Sequence, residues 1–376
     1  MGRAAAPPKL GGRLTAIRDL PERIAGLSPE ARDRVERLFA VRPIAGRTDP
    51  PPEMAAWLAA QFGSVDAVRE QRLISITNRV TGESALLAPL RHRRPMDGAG
   101  HIGELRAAID ATRDDPFCHP LTGTPADTWG RVRGRRMISG ANAALADRHH
   151  AVLVFDEHDP LAFDADLVDD LLATGRAWAD RAHAEDPTAT HYTLLWNCLW
   201  RAGGSIIHGH GQALLADGGA YARLEAFRAA AERHASVGGG PLTDDLVATH
   251  RDLDLAVDGD GDAAVSTIAH LTPVKDRELL VVGTPGMDER DPAFVAAVAA
   301  AVLAFRDRLG VVSFNLVLWR PPLVATPGWE TIPPIVRLVD RGDPFARPSD
   351  IGAMELYGTP IVGTDPYEVV AALRPG

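Results

Sequence analysis

The sequence has few cysteines, few lysines, few aromatic residues and no long apolar run. Its 376 residues include two cysteines, Cys118 and Cys198, which are too few for a disulfide framework, so a reducing, cytoplasmic environment is expected. No stretch approaches the roughly 18 apolar residues that a membrane-spanning helix needs. The first residues are rich in Ala, Pro and Gly and lack the apolar core of a secretory signal, so no such signal is expected.

The charge balance is acidic. The formal net charge is -10 and the isoelectric point is about 5.7, which argues against a general nucleic-acid binder or a membrane-surface binder. The overall charge does not exclude a local basic pocket for one small anion. Hydrophobic residues make up 45% of the chain, which is enough for one large core or two modest ones.

The first 70 residues differ in texture from the rest. Residues 1–70 are predicted to form an N-terminal helical arm, in which Ser28 caps a helix that runs to about Ala40. A Pro-rich break and a second, short helix follow. From Arg72 onwards the pattern changes to short apolar runs, and residues 73–88 are predicted to form a β-hairpin.

The order of the remaining elements indicates an α+β fold. A pattern of strand, long helix and strand occurs twice, in residues 151–215 and 278–319. Because the helices lie between antiparallel-looking strands, we expect antiparallel sheets with helices rather than a doubly wound parallel sheet. The predicted parts are a catalytic half of residues 71–240 and a second half of residues 241–376, which has no histidine motif.

A segment near the middle of the chain combines glycine, serine, histidine and glutamine. Its members are Gly203, Gly204, Ser205, His208, His210 and Gln212. On a predicted strand of residues 205–215, both histidines and the glutamine point to one face, and the upstream glycine amides can turn toward an anion. A neutral imidazole can attack phosphorus and then leave, provided that one ring nitrogen is unprotonated. The segment predicts a phosphate-handling site, although two such histidines could also be polar surface or a metal-binding pair.

The His-x-His-x-Gln motif resembles that of the histidine-triad superfamily, and specifically of its transferase branch typified by galactose-1-phosphate uridylyltransferase. Residues 78–95 resemble the N-terminal signature of that family: an Asn-x-x-Thr-Gly turn, a strand that ends in Pro, and an Arg-x-x-Arg-Pro sequence. Asn197 precedes His210 by thirteen residues, which is the family's spacing. Residues 313–316 resemble the equivalent strand of the second half, so the similarity extends over residues 70–370.

The resemblance implies a role for each matching residue. His210 is the implied nucleophile, which forms a covalent nucleotidyl-imidazole, and Gln212 and Ser205 bind the phosphates. Asn197 supports the loop that carries His210. The implied substrate-binding residues are Arg91, Arg94, Asn197, Gly203 and Gly204. The arginine pair suits the charge and geometry of phosphate groups, although a solvated loop would also place two arginines there. A homodimer is expected.

The resemblance also implies a structural zinc site, which the family builds from Cys-x-x-Cys, a later His and the first His of the motif. The corresponding residues are Asp115, Cys118, His158 and His208. Asp115 stands in place of the first Cys, and His119 is an alternative ligand. Such a set can bind Zn²⁺ tetrahedrally, and the alternative is a hydrogen-bonded network without metal. Residues 332–337 lack the His-x-His of the family's second metal site, so no second metal is expected.

The expected function is a nucleotidyltransferase with a double-displacement mechanism. It would move a nucleoside monophosphate from a nucleotide sugar to a sugar 1-phosphate or to phosphate, through a covalent nucleotidyl-histidine. One alternative is a phosphorylase or hydrolase of dinucleoside polyphosphates or nucleotide sugars, although Gln212 in place of a third histidine argues against simple hydrolysis. The other alternative is a nucleotide-binding protein without catalysis. The expected partners are a nucleotide sugar and a sugar phosphate, and neither nucleic acid nor membrane.

Overall fold

The computed structural model describes residues 16–93, 102–258 and 263–374, and within these ranges the chain has an α+β fold with two sheets. The strands are β1 Phe39–Arg47, β2 Glu70–Asn78, β3 Ser84–Leu87, β4 Met137–Ala141, β5 His149–Phe155, β6 His191–Cys198, β7 His210–Ala216, β8 Ser266–Ala269, β9 Leu279–Val282, β10 Phe314–Trp319, β11 Ile335–Asp340 and β12 Ile361–Val362. The α-helices are α1 Leu20–Ala25, α2 Pro29–Leu38, α3 Ala55–Phe62, α4 Val65–Arg69, α5 Ile102–Asp110, α6 Pro120–Gly123, α7 Ala165–Glu185, α8 Ala222–Ser236, α9 Leu242–Asp252, α10 Pro292–Asp307, α11 Ala353–Tyr357 and α12 Pro366–Leu373. The predicted fold class is confirmed.

The larger sheet has the strand order β4-β5-β7-β6-β10-β11-β9-β8. All of its pairs are antiparallel, and β6 meets β10 at the centre with Asn197 opposite Asn315. Read outwards from this junction, each side places its strands in the corresponding chain order. The predicted repeat of strand, long helix and strand is therefore found within one continuous sheet, while the boundaries at residues 70 and 240 stay predictions.

The two long helices cover one face of the larger sheet. Helix α7 begins after Asp164, whose side chain caps it by accepting a hydrogen bond from the Leu167 N–H at 2.9 Å. It packs against α10 and β7, and α10 packs against β9. Trp196 of β6 is buried between sheet and helices beside Phe314 of β10, at 5.0 Å between ring centroids. Within the described ranges, no helix combines the length and apolar character needed to cross a membrane.

The smaller sheet has the order β1-β2-β3-β12 and includes a strand that the sequence did not predict. Ser28 caps α2 as predicted, but the helix ends at Leu38, and Phe39–Arg47 then pairs with β2 over nine residues. The description of residues 1–70 as helical was therefore wrong at this strand. Pro43 obscured the pattern, and the strand tolerates it because β1 is an edge strand, where the missing N–H need not break a ladder.

A buried ion-pair network joins the two sheets. Arg337 of β11 donates from Nε to Glu278 Oε1 and from Nη1 to Glu83 Oε1, both at 2.6 Å. Glu83 lies in the turn between β2 and β3, so the guanidinium group links the hairpin to the larger sheet. Burial alone would raise the pKa of Glu278, but the charges and hydrogen bonds of Arg337 and His270 together outweigh this effect and lower that pKa. The carboxylate therefore stays ionised inside the protein and depends on its partner.

Replacement of Arg337 by methionine is expected to lower the free energy of unfolding by about 3–5 kcal/mol, because it leaves a buried carboxylate without its counter-charge. Chemical denaturation of the purified variant measures the loss. The double variant Arg337→Met/Glu278→Gln is the control, and it should be more stable than Arg337→Met since the unpaired charge is removed. A single variant as stable as the unmodified protein would contradict this assignment.

Candidate functional site

The sequence predicted that both histidines of the motif lie on one strand, but in the structure they do not. Strand β7 begins at His210, and His208 precedes it in a loop. The Gly209 N–H donates to the His158 carbonyl oxygen at 3.1 Å, which holds the loop against the segment that follows β5. A Cβ atom on Gly209 would lie 2.7 Å from the Phe155 ring, so this close approach requires glycine. The prediction of a strand was therefore wrong at His208, although the rings of both His208 and His210 contact the Phe117 ring.

His210 has one ring nitrogen available for chemistry. Its Nδ1–H donates to the His208 carbonyl oxygen at 2.8 Å, and since a carbonyl can only accept, the proton lies on Nδ1 and the lone pair on Nε2. The side chain is 6% exposed, and this burial lowers its pKa. The Phe117 ring packs against it in a T-shaped arrangement, at 5.0 Å between centroids. The result is a neutral, oriented imidazole of the kind that nucleophilic catalysis requires.

Gln212 shares its face of the sheet with His210. The intervening Gly211 faces α7, where an added Cβ would lie 2.7 Å from Leu171, and alternate residues of a strand point to opposite faces. Gln212 Oε1 lies 3.0 Å from His150 Nε2. The Gln212 amide and the His210 imidazole therefore both lie on the sheet face opposite the long helices.

Four side chains converge beside this face as a metal-ligand cluster. They are Asp115, Cys118, His158 and His208, with one ligand atom from each all within 4.8 Å of one another. Cys118 Sγ lies 3.3 Å from His158 Nδ1 and 3.4 Å from His208 Nδ1. The two Nδ1 atoms are 3.2 Å apart. The residues predicted from the sequence are thus brought together, and His119 is not among them, since its Nε2 lies 2.6 Å from Asp114 on the surface.

The protonation of the cluster favours a bound cation. His158 Nε2–H donates to Ile109 O at 2.9 Å, and His208 Nε2–H donates to Phe155 O at 2.8 Å. In the neutral rings, both Nδ1 atoms therefore present lone pairs toward each other. Asp115 Oδ2 is buried and has no hydrogen-bond partner among the described residues. A metal ion would satisfy all of these atoms, so the donor set fits one.

A polar network from the second half of the chain supports the loop before the motif. Asn315 Nδ2 lies 2.6 Å from Asn197 Oδ1 and 2.7 Å from the Ala202 carbonyl oxygen. Asn315 Oδ1 accepts from Arg341 Nη1 at 2.6 Å, and Asp350 holds the same guanidinium. Asn197 was singled out from the sequence, whereas Arg341 was missed because nothing in its local sequence indicates this contact.

The loop itself has an irregular backbone. Leu199 has φ 67° and Gly203 has φ 96°, and a positive φ is uncommon for a leucine. Arg201 holds the loop by donating to the Ala346 and Pro348 carbonyl oxygens, both at 2.7 Å. Ser205 is exposed at its end. The segment is thus held by tertiary contacts, with Ser205 open to solvent.

The predicted arginine pair is only partly described. Arg91 lies exposed in the short 3-10 helix Pro89–Arg93 that follows β3, and Arg94 lies outside the described residues. Within the described ranges, no hydrogen bond or ion pair joins Arg91 to the histidine segment. Its proposed contact with a phosphate stays a prediction.

His150 is a site residue that sequence reasoning missed. It lies on β5 and is buried, with its ring against Gln212. The available signal was a pair of histidines at the start of an otherwise apolar strand, His149 and His150. Sequence alone does not tell which of the two faces the site.

Comparison with known proteins identifies solved structures that have a similar fold. No protein-family model matches the chain, and no curated protein matches it either. An ADP-glucose phosphorylase from Arabidopsis thaliana, solved with bound ADP-glucose, aligns over 80% of this chain and 98% of its own, with a TM-score of 0.60 and 13% identity. A GalT-like protein from the same plant covers 70% and 92%, with a TM-score of 0.55 and 13% identity. A uridylyltransferase covers 80% and 97%, with a TM-score of 0.53 and 16% identity.

At such low identities these matches establish the fold alone. The chain therefore shares its fold with an ADP-glucose phosphorylase, a GalT-like protein and a uridylyltransferase, so the resemblance found in the sequence is confirmed at the level of fold.

The metal-ligand cluster makes a direct prediction. The purified protein is expected to contain about one bound metal ion per chain, which elemental analysis measures. Cys118→Ala and His158→Ala should each lose most of it, whereas Cys198→Ala and His119→Ala should retain it, because these matched residues lie outside the cluster. A strong chelator should lower the melting temperature of the unmodified protein but not that of Cys118→Ala. Full metal content in Cys118→Ala would show that the cluster is not the site.

Proposed function

We propose that the protein is a nucleotidyltransferase that acts through a covalent nucleotidyl-histidine at His210. The observation that carries the proposal is the hydrogen bond from His210 Nδ1 to the His208 carbonyl, which leaves Nε2 as a free nucleophile. Gln212 supplies a neutral amide on the same face of the sheet. The shared fold with a uridylyltransferase and an ADP-glucose phosphorylase supports a nucleotide sugar as the donor.

The first step is attack of His210 Nε2 on the α-phosphorus of the nucleotide sugar. A P–N bond forms, the P–O bond to the β-phosphate breaks, and the sugar 1-phosphate leaves with the bonding electron pair. The imidazole becomes positively charged, and the His208 carbonyl stabilises this charge because it accepts from Nδ1–H. In the second step a phosphate oxygen of the acceptor attacks the same phosphorus and the P–N bond breaks, which restores the neutral imidazole.

The neighbouring residues bind the phosphate groups. The amide of Gln212 donates to a non-bridging oxygen of the transferred phosphate, where charge accumulates during the displacement. Ser205 and the N–H groups of Gly203 and Gly204 bind the same or the adjacent phosphate. We assign the exposed Arg91, with Arg94, to phosphate binding across the interface of a homodimer.

We assign zinc to the metal-ligand cluster. One carboxylate, one thiolate and two imidazole nitrogens form a four-ligand set that Zn²⁺ accepts. When bound, the ion would act structurally, tying the segment around Cys118 to the loops that carry His158 and His208. These residues hold the motif loop in place, and the reacting groups come from His210 and Gln212.

A trapping experiment tests the nucleophile. The protein is incubated with UDP-, GDP- and ADP-sugars labelled at the α-phosphate, and an acid-labile labelled adduct is expected with at least one of them. His210→Ala should abolish the adduct because it removes the attacking nitrogen, while His183→Ala, which replaces a histidine far along α7, should retain it. An adduct of equal yield in His210→Ala would rule out the proposed nucleophile.

Product analysis tests the acceptor. The isolated adduct should release its label quickly when a sugar 1-phosphate or inorganic phosphate is added, yielding a nucleotide sugar or a nucleoside diphosphate respectively. Release to water as the monophosphate should be much slower, since the Gln212 amide cannot act as a general base. Rapid release in water alone would favour a hydrolase. If nucleotides raise the melting temperature but no adduct and no turnover are found, the protein is a nucleotide-binding protein without catalysis.

A further inference from the structure

We propose that His150 is a positioning residue, which holds the Gln212 amide so that its NH₂ group faces the phosphate on His210. The inference rests on the proposed function, because it concerns the reaction at His210. It starts from His150, a buried histidine that has no part in the two proposed transfer steps. The His150 ring is 5% exposed and lies on β5, diagonally across the ladder from Gln212, since His150 pairs with Leu214 and Val152 pairs with Gln212.

The backbone decides the tautomer of His150. The Ala146 N–H donates to His150 Nδ1 at 3.1 Å, and the position of a backbone proton leaves no ambiguity about the direction of that bond. Nδ1 is therefore the acceptor, and the proton of the neutral ring lies on Nε2. Burial lowers the pKa of His150, in keeping with a neutral ring.

The tautomer in turn decides the orientation of the glutamine. His150 Nε2–H is a donor, so the atom of Gln212 that lies 3.0 Å away must be the carbonyl oxygen. The Asn142 amide nitrogen lies 3.3 Å from the same ring nitrogen, and the Asn142 oxygen is already held by the Ala144 N–H, so Asn142 offers no competing acceptor. Among the described residues, the bond to His150 is the one hydrogen bond of the Gln212 side chain.

This orientation matters because a glutamine amide is nearly symmetric in shape but not in charge. With its oxygen held by His150, the Gln212 side chain presents two N–H donors on its other side. If the amide were free to turn, its oxygen could face a negatively charged phosphate oxygen, and the two would repel each other. His150 thus removes a non-productive orientation without touching the substrate.

The kinetic test is a double-mutant cycle on formation of the labelled adduct, followed in a single turnover with whichever of the ADP-, UDP- or GDP-sugars labels the protein. His150→Leu should slow adduct formation about tenfold, while the affinity for the nucleotide sugar changes little. His150→Gln, which places an N–H donor near the position of Nε2, should recover much of the rate. In a Gln212→Ala background, His150→Leu should cause no further loss.

The controls separate positioning from a structural defect. His149→Leu replaces the adjacent histidine, which contacts Asp186 rather than the site, and it should keep the rate of the unmodified protein. Metal content and melting temperature establish that each variant is folded. A loss that is as large in the Gln212→Ala background as in the unmodified protein would overturn the proposal, and so would an unchanged rate in His150→Leu.

A spectroscopic measurement tests the role of His150 independently of the proposed function. Nitrogen-15 NMR of the histidine rings reports which nitrogen of His150 carries the proton, with no substrate present. The Nε2–H tautomer is expected, and the Nδ1–H tautomer would overturn the proposal even if nucleotidyl transfer is found. Absence of any adduct in the unmodified protein, with every donor tested, would instead overturn the proposed function and this role with it.

Discussion

The site depends on three histidine rings that each donate a hydrogen bond to a backbone carbonyl oxygen. The donor and acceptor pairs are His158 with Ile109, His208 with Phe155, and His210 with His208. Because a carbonyl only accepts, each bond assigns the proton to one ring nitrogen and leaves the other nitrogen with a lone pair. In the first two rings this lone pair faces the metal-ligand cluster, and in the third it is left for nucleophilic attack.

These bonds couple the cluster to the proposed nucleophile. The side chain of His208 is a member of the cluster, whereas its carbonyl oxygen holds the ring of His210. Whatever fixes His208 therefore also fixes the tautomer of His210. A metal ion with a purely structural role would in this way affect the rate of the proposed transfer, since it would determine how firmly the motif loop is held. A similar relation holds for Gln212. The backbone N–H of Ala146 sets the tautomer of His150, and His150 in turn orients the Gln212 amide.

The two sides of the large sheet have different tasks. Strand β7 carries His210 and Gln212, and β11 takes the corresponding place across the central junction of β6 and β10. At β11 the sheet face carries Arg337, which is neutralised by Glu278 and Glu83 and anchors the smaller sheet. The second side also contributes Asn315, which reaches across the junction to Asn197 and to the loop before the motif. One side thus holds the proposed reacting groups, and the other supports them.

The sequence alone determined several local features: the capped helix at Ser28, the motif that ends in Gln212, and the four residues of the metal-ligand cluster, which the family resemblance identified. These follow from short-range patterns, because caps, periodicity and motif spacing are set by near neighbours in the chain. Strand β1 escaped prediction because a proline can be tolerated at a sheet edge, and edges exist only in the assembled sheet. Only the tertiary structure decided that His208 leaves the strand, that His119 is outside the cluster, and that His150 meets Gln212. Each of these depends on contacts between segments distant in sequence, which the local pattern of the chain does not specify.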